Sequence, residues 1–83
     1  GDKMLIPKIK NYFKDKDYSL NICENKIYIN NYKKIDYISD NLLIIIFDNF
    51  ILHIKGQNFT VDKMIDKEAL FNGSFQNIEV KNK

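Results

Sequence analysis

The chain has 83 residues, with 13 basic and 11 acidic side chains, a formal net charge of +2, one cysteine and one histidine. That length supports one domain, and a single cysteine excludes an internal disulfide framework. One His and one Cys also exclude a His/Cys metal cluster. Every basic residue is lysine, and the two signs are interspersed rather than gathered. Without arginine the chain lacks the bidentate donors that favour phosphate and nucleic acid.

The first segment reads differently from the rest. Ile9, Tyr12 and Phe13 fall at i, i+3 and i+4, which predicts a short helix over residues 5–16, with Pro7 in its first turn. A helix this short is unstable alone and must dock. It can serve as a lid over a later β-hairpin or as an anchor on a membrane surface. From residue 18 onward the period is two. Residues 18–23 form a strand with Leu20 and Ile22 on one side, and Glu24-Asn25 turns the chain into 26–30, where Ile27 and Ile29 share a face. A strand over 32–38 and a Ser39-Asp40-Asn41 turn follow.

Residues 42–56, LLIIIFDNFILHIKG, are the most informative stretch. Asp48-Asn49 suits a two-residue turn, because both residue types tolerate positive φ. With that turn, Phe47 pairs with Phe50, Ile45 with Leu52 and Leu43 with Ile54. Directly opposite residues share a face, so one face of the hairpin is wholly apolar. The other face pairs Ile46 with Ile51, Ile44 with His53 and Leu42 with Lys55. That second face is apolar near the turn and polar at the far end. A hairpin with one solvated face usually alternates cleanly, so this face calls for a cover from its own chain or from another molecule.

Gly56-Gln57-Asn58 reads as a turn, 59–64 as a strand, and 65–68 as either a loop or one helical turn. Residues 69–73 and 75–80 are strands, with Gly73-Ser74 as a bulge or bend between them. The pairs Ile54-Lys55-Gly56 and Phe71-Asn72-Gly73 echo one another, which suggests that a glycine ends or bends a strand twice in the same way. Seven to eight short antiparallel strands predict an all-β fold, a small sandwich or open barrel. The chain then forms one domain over 1–83, with its β portion over 18–80. The longest apolar run, 42–47, is far short of the roughly 20 residues that cross a bilayer. No signal-peptide pattern opens the chain, so a cytoplasmic protein without a transmembrane segment of its own is the expectation.

No catalytic pattern emerges. His53 has no orienting carboxylate or nucleophile in its pattern. Cys23 adjoins Glu24, which disfavours the thiolate. Asp62, Asp66 and Glu68 lack the alternating ligands and central glycine of a calcium loop, and no glycine-rich phosphate loop is present. Tyr28, Tyr32, Lys33 and Lys34 can be arranged as a stacking surface for single strands, on the pattern of small β-barrels.

One wider pattern remains. Residues 20–80 resemble the YabP/YqfC family of sporulation proteins, most closely its YqfC branch. Ile29-Asn30-Asn31-Tyr32-Lys33-Lys34-Ile35 stands where the family has a segment close to I-E-N-Y/H-K-G-I. An I-x-I strand follows at 43–46, then a glycine-ended strand at Ile54-Lys55-Gly56. The closing G-x-I-x-x-I-x-Y is matched by Gly73-Ser74-Phe75-Gln76-Asn77-Ile78-Glu79-Val80, and Ile6-Pro7-Lys8 is similar to the I-P-K that opens many members. Asn30 and Lys34 replace an acidic residue and a glycine, Asn49 replaces another glycine, and Val80 replaces the final aromatic residue.

The resemblance implies a sandwich-like domain with no enzymatic activity, made in the mother cell of an endospore former and encoded beside a membrane protein. The expected function is protein–protein contact in assembly of the spore envelope, coat or cortex, with no cofactor. Its contacts would be a protein partner, such as a nearby-encoded membrane protein, or a second copy of the chain. Leu42, Ile44, Ile46 and Ile51 are the expected contact residues, joined through the family motif by Asn31, Tyr32 and Lys33. The alternative is a single-stranded nucleic-acid binder built on Tyr28, Tyr32, Lys33 and Lys34.

Overall fold

The computed structural model describes residues 18–83 in full and residues 9–14 by their backbone. All described regular structure is β, in one antiparallel sheet. The strands are β1 (Ile9–Lys14), β2 (Ser19–Cys23), β3 (Lys26–Asn30), β4 (Lys34–Ile38), β5 (Leu42–Ile46), β6 (Phe50–Ile65) and β7 (Glu68–Asn82). Their order across the sheet is β1-β2-β3-β7-β6-β5-β4.

The first correction concerns the N-terminal segment. Residues 9–14 are extended and pair with β2, from Ile9↔Cys23 to Lys14↔Ser19, so no helix forms there. Residues 5–8 and 15–16 of the expected helix lie outside the described residues, as do the side chains of the expected lid, Ile9, Tyr12 and Phe13. The segment carries both periods: Ile9, Asn11 and Phe13 also alternate with Lys10, Tyr12 and Lys14. Over so few residues the periods cannot be told apart, and the unfilled backbone edge of β2 decides in favour of a strand.

The second correction concerns strand length. Residues 50–55 and 59–64 are one strand of 16 residues, and 69–73 and 75–80 belong to one strand of 15. The ambiguous residues 65–68 are the ends of these strands around a two-residue turn, Asp66-Lys67, with Asp66 at φ 57°. At about 3.3 Å per residue, 16 flat residues would span roughly 50 Å, yet the molecule is only 36 Å along its longest axis. The long hairpin therefore bends.

The bend sits where the two glycines meet. The β6–β7 register shifts at Lys55/Gly56 and between Gln57 and Thr60, with Asn58 at φ 60°. A Cβ on Gly56 would collide with the Ser74 carbonyl oxygen and the Phe59 ring, and one on Gly73 with the same ring. Gly73 also holds φ 149°, which side chains rarely allow. Phe59 thus packs against both bare backbones and is itself buried.

Beyond the bend each half of the hairpin recruits different neighbours. Glu68–Asn72 of β7 pairs with β3, while 51–55 of β6 pairs with β5. The sheet folds over so that both halves line one core. Leu20, Ile22, Ile27, Ile29, Ala69 and Phe71 enter it from one half, and Leu43, Ile45, Phe47, Leu52 and Ile54 from the other. Each fully buried Leu, Ile or Phe contributes about 1.5–3 kcal/mol relative to exposure. No described polar residue is buried. The rings of Phe47 and Phe50 stack at 4.7 Å, and Tyr18 meets both edge-on at 5.3 and 5.5 Å.

Candidate interaction surface

The 42–55 hairpin has the expected register, although neither Asp48 nor Asn49 adopts the positive φ that the turn reading invoked. Leu42↔Lys55, Leu43↔Ile54, Ile44↔His53, Ile45↔Leu52 and Ile46↔Ile51 are opposed, and the Phe47 N–H donates to the Phe50 carbonyl at 2.9 Å. The face made by Leu43, Ile45, Phe47, Leu52 and Ile54 is fully buried. The opposite face points away from the core. Its isoleucines, Ile44, Ile46 and Ile51, are half-buried, as is Leu42.

Neighbouring strands extend this outer face into three cross-sheet rows. One runs Lys34, Ile46, Ile51, Lys81, and the next runs Tyr37, Ile44, His53, Glu79. A third begins with Leu42, Lys55 and Asn77. The centre is therefore Ile44, Ile46 and Ile51, with Tyr37 49% exposed beside them. Charges occupy the two ends: Lys34, 3.8 Å from Asp36 on one side, and Lys81 and Glu79 on the other. The isoleucines adjoin one another across the hairpin, and each is half-buried.

Asn31, Tyr32 and Lys33 sit elsewhere, in the connection from β3 to β4. Asn31 adopts φ 59°, and its N–H donates to the Lys67 carbonyl at 2.7 Å. The Lys33 N–H donates to the Ile46 carbonyl at 2.8 Å, and the Lys67 Nζ donates to the Lys33 carbonyl at 3.2 Å. This clamps the connection between the β6–β7 turn and the end of β5. Tyr32 turns inward and is 6% exposed, with its hydroxyl donating to the Asp66 carbonyl at 3.4 Å. Burial, with Asp66 nearby, pushes its phenol above the usual tyrosine range.

Asn31, Tyr32 and Lys33 line a cleft of about 250 Å³ together with Tyr18, Asp48 and Lys67. Sequence reading does not reach this cleft, because its walls come from three separate connections and from Tyr18 just before β2. The two expected groups of contact residues are thus distinct: the isoleucines share a strand face, and the motif residues line a polar cleft.

The tyrosine–lysine set is not brought together as one platform. The Tyr32 ring is in the core, while Tyr28 lies on the outer side of β3, opposite Leu70 and Asn21. Burial and the hydrogen-bonded Glu68 carboxylate beside it raise the Tyr28 pKa. Lys33 and Lys34 are exposed. Among the described residues no group of three or more His, Cys, Asp or Glu gathers as metal ligands, and no helix is long and apolar enough to cross a membrane. No family model matches this chain, and neither does any curated protein or solved structure.

Proposed function

We propose that this protein is a non-enzymatic contact module that binds a protein partner through the outer face of β5 and β6. The observation that carries the reading is the isoleucine centre. Ile44, Ile46 and Ile51 adjoin one another across the hairpin with polar and charged groups only toward the margins. A contiguous apolar patch with a charged rim is the ordinary anatomy of a protein interface. Leu42 and Tyr37 extend it.

The biological setting rests on the resemblance alone. On that basis the module is a sandwich-like scaffold acting in spore-envelope assembly, in the mother-cell cytoplasm, with a membrane-associated partner. The motif residues Asn31 and Lys33 supply a second, polar contact beside the cleft. An affinity pull-down from sporulating cells in mild detergent, with nuclease treatment, tests the reading. One membrane or coat protein should be recovered with the parent chain and lost with Ile46→Lys or Ile51→Lys, each verified as folded. Recovery of the same partner by both variants would overturn the assigned surface. Recovery of nucleic-acid-bound proteins alone, lost on nuclease treatment, would overturn the function.

A further inference from the structure

Four strand edges are unpaired among the described residues. They are the outer edges of β1 and β4, the edge of β6 over 60–65 beyond its pairing with β5, and the edge of β7 beyond its pairing with β3. Three of them are interrupted within the stretch that would pair. The register of β1 shifts between Asn11 and Phe13, that of β4 between Ile35 and Tyr37, and that of β6 between Val61 and Lys63. Bulges of this kind blunt an edge against pairing with another chain. The fourth edge has its bulge at Gln76, where Lys55↔Asn77 is followed by Gly56↔Phe75, and is uninterrupted only beyond it. From Asn77 to Asn82, β7 runs in unbroken register against β6, from Lys55↔Asn77 to Phe50↔Asn82.

The residues along that edge are self-complementary. Val80 lies opposite Leu52, on the core side of the sheet, yet is 58% exposed. Glu79 and Lys81 flank it, both exposed and both on the outer face. An antiparallel pairing of two copies about a two-fold axis at Val80 sets Val80 against Val80. It also sets Glu79 of each copy opposite Lys81 of the other, giving two opposite-charge pairs on one face. Shifting the axis to Glu79 or to Lys81 would set like charges opposite each other. Shifting it to Ile78 would place Val80 opposite Gln76 and pair neither charge with its opposite.

We propose that two copies of this chain associate through the 77–82 edge of β7, antiparallel and centred on Val80. The two sheets become one continuous sheet across the axis, and the isoleucine face of each copy joins its mate through the Glu79/Lys81 rows. This does not depend on the identity of any other partner.

Sedimentation velocity from micromolar to millimolar chain concentration tests the proposal. The parent chain should shift from monomer to dimer. Glu79→Lys and Lys81→Glu should each weaken the dimer about tenfold or more, since each sets two like-charge pairs across the axis. The double swap should restore it. A parent chain that stays monomeric throughout, or a dimer indifferent to both single swaps, would overturn the proposal.

If either swap fails to fold, the decision passes to Val80→Cys in a Cys23→Ser background. Directly opposed residues in an antiparallel pair have Cα atoms about 4.5–5.5 Å apart, within disulfide reach. Mild oxidation should then yield a covalent dimer in preference to the same background carrying Tyr37→Cys. Equal cross-linking of the two would overturn the register.

Discussion

The two faces of the 42–55 hairpin carry nearly the same residue types and meet different fates. Ile45 is fully buried, whereas its neighbours Ile44 and Ile46, one residue away in either direction, are half-buried on the opposite face. Chemistry alone does not separate them; the pleat does. The inner stripe is committed to the core, and the outer stripe is only half-buried. An apolar side chain is therefore read by its register before its hydropathy.

The sharpest way to break this contrast is to truncate the inner stripe. Ile45→Ala or Leu52→Ala should cost about 2–5 kcal/mol, a large share of the stability of an 83-residue domain. Chemical denaturation would show it as a fall in midpoint at constant slope. The bend comes next. Gly56→Ala forces a Cβ into the Ser74 carbonyl and the Phe59 ring, and should cost about 1–3 kcal/mol, the usual range for overpacking. A melting temperature equal to the parent's would mean that the bend yields without strain. On the outer stripe, Ile46→Ala should cost no more than about 1 kcal/mol, because only a half-buried side chain is lost. The smallest effect belongs to the exposed ion pair between Lys26 and Asp62, at 3.2 Å. Lys26→Ala should change stability by no more than about 0.5 kcal/mol.

Alkaline titration sharpens the comparison from another side. Tyr28 and Tyr32 both have phenols raised above the ordinary value of 10.0, each mainly by burial. The unfolded chain therefore ionises first. Stability is fully present below that ordinary value and is lost as pH rises toward and through the folded pKa values. The alkaline fall in melting temperature should be shallower in Tyr32→Phe than in the parent. An unchanged profile would mean that the buried phenol is not what titrates.

Much of the hairpin was legible because one feature fixes it: the Asp48-Asn49 turn sets every pairing from Phe47/Phe50 outward. The Glu24-Asn25 turn acts in the same way for β2 and β3. The long strands were hidden because Gly56, Asn58 and Gly73 are residues that serve turns and bends alike. Only the Phe59 ring between the glycines makes them a bend in continuous strands. The N-terminal strand was hidden because six residues fit either period, and a tertiary edge chose between them. Local sequence alone suggests for Tyr32 a surface position beside two lysines. The positive φ of Asn31 and the clamp from Lys67 turn it inward, and nothing local in the sequence announces that clamp. The cleft was illegible for the same reason, since Asp48 and Lys67 join it only through the long β6–β7 hairpin.

The measurement that bears most directly on the division of the two faces is a thermal melt of two neighbouring charge insertions, Ile45→Lys and Ile46→Lys, followed by circular dichroism. A folded Ile46→Lys melting within a few degrees of the parent, beside an Ile45→Lys with no cooperative transition, is the result that two separate roles require. Unfolding of both would mean that the outer isoleucines are covered by the chain itself, which contradicts a free contact surface.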